Sequence, residues 1–227
     1  MPPLTRGAAA LLQKTTFPDI GIPDTALDVI LAQKATENAL GLRKAVRHKT
    51  EDVWTVRNNI DAYTEKVRSV VVEETPSVDH ICEVQLAEHS LVRALHTSGV
   101  SGASLTALGT ATILRDAMNG VFNLNVTTMR VNQAKRGPFT AAMNRLRAVD
   151  ERGSLRVISI EELARRGKGK WLVDDGLWAN IECEIVKSFD VMQTTVDSST
   201  SGLRSSHALG AAAVEELGAM LSQLGVM

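Results

Sequence analysis

Three short fragments of this 227-residue chain bring together residue types that hydrolytic chemistry uses. They are Val78-Asp79-His80-Ile81, Asn123-Leu124, and Asn132-Gln133-Ala134-Lys135-Arg136-Gly137. Together they supply a carboxylate, an imidazole, three side-chain amides and two cations. Cleaving a phosphodiester needs a water made nucleophilic and neutralisation of charge on the leaving oxygen. A neutral imidazole can accept the water's proton near pH 7. Carboxylate and amide oxygens are hard ligands suited to Mg²⁺, and such an ion stabilises the developing charge. Taken singly, each residue has an ordinary structural explanation: Asp79-His80 as a helix-capping pair, Asn123 and Asn132 as turn and cap residues. That explanation does not account for their joint order, with Asn123 nine residues before Asn132 and twelve before Lys135.

The elements that must position these groups follow from hydrophobic periodicity. Residues 1–24 read as a flexible arm containing Pro2, Pro3, Pro18 and Pro23, and residues 25–227 as a single domain. Leu27, Ile30, Leu31, Ala35, Leu42 and Val46 predict a helix over 26–48. Thr50-Glu51-Asp52 starts a second helix, with acids in its first turn. Its buried stripe is Val53, Val56, Ile60, Tyr63, Val67 and Val70, and the stretch 73–77 ends it. Residues 78–82 are short and apolar around Asp79-His80. Helices are expected over 83–96, 104–119 and 131–147, the last with an oddity at Gly137-Pro138. Asn119-Gly120 is a turn signal. Short strands are expected over 121–129 and 155–160. A short helix over 161–166, a basic loop over 167–170 and closing helices over 174–196 and 203–224 complete the chain.

Composition excludes several classes. With 44 % hydrophobic and 22 % charged residues the chain is an ordinary globular one rather than a disordered or low-complexity one. Aromatics at 4 % favour helix packed on helix over a β-sandwich. No apolar run approaches the roughly 20 residues of a membrane span. The apolar part of the N-terminus, residues 8–12, is too short for a signal peptide, so an intracellular place, cytoplasm or nucleus, is expected. Cys82 and Cys183 make no disulfide framework and fit a reducing compartment. Net charge is −1, yet residues 130–170 hold eleven basic and four acidic groups. Such a stretch is either a solvated helix face or a grip on phosphate.

The order Asp-His, Asn-Leu, Asn-x-x-Lys resembles the HNH endonucleases, the ββα-metal family. The wider pattern Asp79-His80-x-x-Glu83-x-Gln85 is similar to HNH-like modules of fungal and oomycete effector-type proteins. The resemblance covers about residues 78–140, within an HNH-like core at about 78–147. It implies an α+β fold, predominantly helical, with a central ββα-metal finger wrapped by N- and C-terminal helices. It further implies an endonuclease that hydrolyses DNA with low sequence specificity, in the manner of a toxin or effector, with RNA as another substrate and an inhibitor protein as a partner still to be identified. His80 would be the general base and Asn123 would orient its ring. Asp79 and Asn132 would hold Mg²⁺ or Mn²⁺, with Glu83 and Gln85 beside them. Lys135, Arg136 and Arg130 would touch phosphate. An alternative is a catalytically degenerate HNH-like module that binds nucleic acid or another partner.

The chain departs from the family pattern at several points. The gap between His80 and Asn123 requires an inserted helical hairpin over roughly 83–119. Thr128 and Val131 stand where zinc-stabilised members carry cysteines, so no structural zinc is expected. The third histidine is Asn132. Elsewhere, Trp171 and Trp178 are of a type that could stack on a base, though packing is the simpler role. His89 and His96 fall on the helix expected over 83–96, His96 and His48 suit helix C-termini, and His207 starts a helix with no partner in view.

Overall fold

The computed structural model describes residues 46–98, 110–152, 158–167, 175–200 and 208–227. The expected arm, nearly all of the expected first helix, most of the basic loop, Trp171 and His207 lie outside these residues. The described chain is mostly helical. A 3-10 turn at Arg47–Lys49 leads into α1 (Thr50–Val56) and α2 (Arg68–Glu73), then strand β1 (Pro76–His80). Helices α3 (Val84–Ser98) and α4 (Thr110–Met118) precede β2 (Leu124–Thr128), which runs directly into α5 (Met129–Arg152). Helices α6 (Ile160–Arg166), α7 (Asp175–Thr200) and α8 (Ala208–Gln223) follow.

The two strands pair antiparallel, from Pro76 opposite Thr128 to His80 opposite Leu124. The ladder is extended by Met129 N–H donating to Thr75 O (2.9 Å) and Ile81 N–H to Asn123 O (2.8 Å). Residues directly opposite each other share a face. Val78, Leu124 and Val126 therefore lie on one face, against Val46, Val53, Trp54 and Val71. Ser77, Asp79, Asn125 and Thr127 lie on the other, and the last three are buried. The sheet thus has one apolar face and one buried polar face.

The larger core is built on α3 to α8. Leu86, Leu91, Leu114, Phe139, Leu146, Ile181, Ile185 and Leu217 are among its fully buried residues. Helix α8 lies mainly against α3 and α7. Gly218 lets it approach closely, because a Cβ there would stand 2.8 Å from the Phe189 ring. Ser159 caps α6 by accepting from Glu162 N–H at 3.2 Å, with Glu161 and Glu162 in the first turn and Arg165 and Arg166 in the last. Ser159 is thus a helix cap and Ile160 the first helical residue, so the expected strand over 155–160 does not form at its end; residues 153–157 lie outside the described chain. Helix α5 continues through Pro138, which carries no N–H to return to Ala134.

The expected continuous helix from Thr50 to Val70 is corrected to two short ones. After α1 the backbone turns through Asn58 (φ 53°) and Asn59 (φ 59°), a left-handed conformation that asparagine tolerates. A bridge joins Ile60 to Val67, and Glu65 (φ 58°) completes the turn. Val56, Ile60, Val67 and Val70 are 38, 41, 52 and 38 % exposed, so the stripe breaks down; Val53 and Tyr63 are buried. Arg57 anchors the turn. It donates to Phe122 O (2.9 Å) and Leu124 O (3.3 Å) and pairs with Glu184 of α7 at 2.5 Å.

Candidate functional site

Asp79 and His80 end β1, and strand alternation sends their side chains to opposite faces. On the polar face, Asp79 Oδ2 accepts from Lys135 Nζ at 2.6 Å and from the Tyr63 hydroxyl at 2.7 Å. Lys135 rises from the second turn of α5 and is wholly buried. It donates also to His80 O at 2.5 Å and pairs with Glu83 Oε1 at 3.2 Å. The Tyr63 and Phe139 rings lie 5.5 and 5.6 Å from the ammonium. Both distances are within the range of a cation–π attraction.

Burial opposes the charge on Lys135, but the Asp79 and then the Glu83 carboxylates outweigh it. The ammonium is held above its ordinary value. Burial, reinforced by the Asp79 charge, holds the Tyr63 hydroxyl well above the ordinary phenol range, so it remains a donor. The Cys82 thiol, two residues beyond His80, is pushed up to about 12, chiefly by burial.

A second buried carboxylate supports this face from below. Asp61 accepts from Tyr63 N–H (3.0 Å), Thr64 Oγ1 (2.5 Å), Asn125 Nδ2 (2.7 Å) and Thr127 Oγ1 (2.8 Å). It therefore joins the turn that carries Tyr63 to the strand opposite Asp79. Asn125 Oδ1 in turn accepts from Ala62 N–H at 3.1 Å.

On the other side of β1, His80 Nε2 lies 3.0 Å from Asn119 Oδ1, both residues being buried. The role expected of Asn123 is corrected here. Asn123 Oδ1 accepts from Cys82 N–H (2.8 Å) and Ser188 Oγ (2.7 Å), while Nδ2 donates to Met118 O (2.8 Å). Asn123 ties the end of β1 to α4 and α7, and Asn119 meets the His80 ring.

Asn132 donates to Ser77 Oγ at 3.0 Å, at the opposite end of β1 from Asn123. Glu83 is buried just before α3, and Gln85 is half-buried in its first turn. Arg130 and Arg136 are exposed; Lys135 is not, so the expected phosphate contact of Lys135 is corrected to an internal ion pair. The solvent face of α5 carries Arg130, Gln133, Arg136, Thr140 and Asn144, with no acidic residue from 129 to 148. Arg130 stands in the first turn, where the helix dipole disfavours a cation and favours an anion.

Among the described residues no group of three or more His, Cys, Asp or Glu side chains could hold a metal ion. Asp79, Glu83 and the His80 carbonyl nevertheless converge on one cationic point with hard oxygens. Such oxygens are donor types that Mg²⁺ and Mn²⁺ take, but the Lys135 ammonium already occupies the point where these three meet; of the expected ligands, Asp79 contributes a carboxylate and Asn132 an amide oxygen, both hard donors. No helix among the described residues is long and apolar enough to cross a membrane.

The sequence reading missed Asp61, Tyr63 as a polar partner, Asn119, Asn125 and Ser188. Asn119 was visible only as half of a turn signal, and Tyr63 only as part of an apolar stripe. No protein-family model matches the chain, and neither a curated protein nor a solved structure matches it.

Proposed function

We propose that this chain is a metal-dependent endonuclease of HNH type that hydrolyses DNA phosphodiesters with little sequence specificity, and that β1, β2 and α5 are its strand–strand–helix unit. One observation carries the reading. Asp79-His80 ends a strand whose antiparallel partner runs straight into the helix bearing Asn132 and Lys135. Asp79, His80, Leu124, Asn132 and Lys135 thus belong to three elements that adjoin in space, and Asn123 sits in the turn just before β2. In this reading His80 takes the proton of the attacking water. Asp79 and Asn132 hold Mg²⁺ or Mn²⁺, which when bound neutralises charge on the phosphate and the leaving oxygen. Arg130 and Arg136 grip the phosphate backbone from the exposed face of α5. Lys135 fixes the Asp79 carboxylate. With DNA as substrate, the place of action is the cytosol or nucleus of a cell.

A second reading has a specific observation in its favour. The Lys135 ammonium already stands against Asp79 at 2.6 Å. A lysine satisfying that carboxylate suits a module that keeps the scaffold and binds nucleic acid without cleaving it.

Plasmid nicking separates the two, run with Mg²⁺, with Mn²⁺ and with EDTA, on the wild type and His80→Ala. Metal-dependent nicking lost in His80→Ala while DNA binding survives supports the nuclease. Folded protein that shifts DNA in a gel but nicks it under no condition supports the binding module. The same assay on single-stranded RNA decides the substrate class.

A further inference from the structure

The geometry points to Asn119 as the positioning residue that sets the His80 imidazole and keeps its proton on Nε2. Its catalytic meaning rests on the reading of His80 as a base; the tautomer is a property of the fold alone.

A neutral imidazole has one donor nitrogen and one acceptor nitrogen. The Asn119 Oδ1 atom lies 3.0 Å from His80 Nε2, and an amide oxygen can only accept. The proton that satisfies it therefore sits on Nε2. His80 and Asn119 are 6 % and 5 % exposed, so water competes little for this bond.

Asn119 is held in place independently of the histidine. Its N–H donates to Arg115 O at 2.8 Å, closing the last turn of α4. Its carbonyl accepts from Lys49 Nζ at 2.7 Å, a bond from far upstream in the chain. Gly120 follows, and any Cβ there would stand 3.1 Å from Ala117 O. The Asn-Gly pair thus serves the close turn that aims the amide, as well as ending the helix.

Asn123 is excluded from the same task by its own bonds. Its amide oxygen takes two donors, its amide nitrogen reaches Met118 O, and its backbone carbonyl takes Ile81 N–H. The two asparagines divide the labour: Asn123 fixes the backbone after His80, and Asn119 fixes the ring.

The test uses the full chain with ¹⁵N-labelled histidine, at a pH well above the ordinary imidazole value. The His80 signals are assigned by their loss in His80→Ala. A one-bond proton–nitrogen correlation at Nε2 is expected in the wild type, because a buried hydrogen-bonded proton exchanges slowly. That correlation should vanish in Asn119→Ala and persist in Asn119→Asp, whose carboxylate also accepts. In the nicking assay Asn119→Ala should lower kcat about tenfold to a hundredfold with KM unchanged, and Asn119→Asp should restore most of it. A proton found on Nδ1 in the wild type overturns the assignment, as does an Nε2 signal that survives Asn119→Ala. A wild type that cleaves nothing overturns the nuclease reading instead, and the tautomer is then decided by the spectra alone.

Discussion

The Lys135 ammonium sits 2.6 Å from the Asp79 carboxylate with none of the lysine exposed, so α5 is fastened to β1 by a cation sealed from water. Removing one partner of a buried pair leaves the other charge stranded, and that costs about 3–5 kcal/mol. Lys135→Met should therefore lower unfolding free energy by that order, read from urea denaturation. Adding Asp79→Asn should recover part of the loss. A double variant no better than the single one would show that Glu83 or lost packing, rather than Asp79, accounts for the damage.

Alkaline pH should unfold the protein through three buried groups. Cys82, Tyr63 and Lys135 all hold their protons more tightly in the folded chain than their ordinary values allow. Their contribution to stability is complete below those ordinary values and is lost as pH rises through the folded ones. The decline should begin near about pH 8.5, the ordinary thiol value, and steepen above about 10 as the phenol and ammonium join. Tyr63 is the only tyrosine, so tyrosinate absorbance reports this one group. Absorbance and circular dichroism should change together; tyrosinate appearing in a still-folded protein would contradict the burial of the hydroxyl.

Asn123 should behave as a stability residue. Asn123→Ala would leave the Cys82 N–H, the Ser188 hydroxyl and the Met118 carbonyl without this partner in a buried place. At about 1–3 kcal/mol for each stranded group, the loss should reach at least about 3 kcal/mol in chemical denaturation. A variant of unchanged stability but lost nicking would return Asn123 to the site chemistry.

The exposed face of α5 should govern salt-dependent binding. Arg130→Gln with Arg136→Gln removes two exposed cations without touching the core. Fluorescence anisotropy with a DNA duplex across a salt series should show the slope of log K against log salt reduced by about 1.8, at unchanged melting temperature. An unchanged slope would place the nucleic acid on another surface.

Much of the architecture was legible because it rests on long apolar periodicities. The spacing of Val214, Leu217, Met220, Leu221 and Leu224 identifies α8, and that of Ile181, Ile185, Phe189 and Met192 fits α7. The turn after α1 was not legible in the same way. Val56, Ile60 and Val67 keep a helical rhythm while lying exposed on a turn, and the adjacent Asn58-Asn59 pair was the local signal against it. The site was half legible. Asp79, His80 and Lys135 stand out by type and order. Asp61 and Asn119 become partners only when residues far apart in the chain meet, and no local pattern encodes that meeting.

The strand pairing has a kinetic consequence. His80 and Leu124 are register partners, yet the chain between them also makes α3 and α4. A local two-residue turn cannot nucleate this sheet. Closing so long a connection costs entropy that only the packing of the intervening helices can offset. The polar cluster at the sheet should therefore assemble late, after α3 and α4 have docked, and a ribosome-bound chain stalled before α5 emerges should lack its Lys135 half.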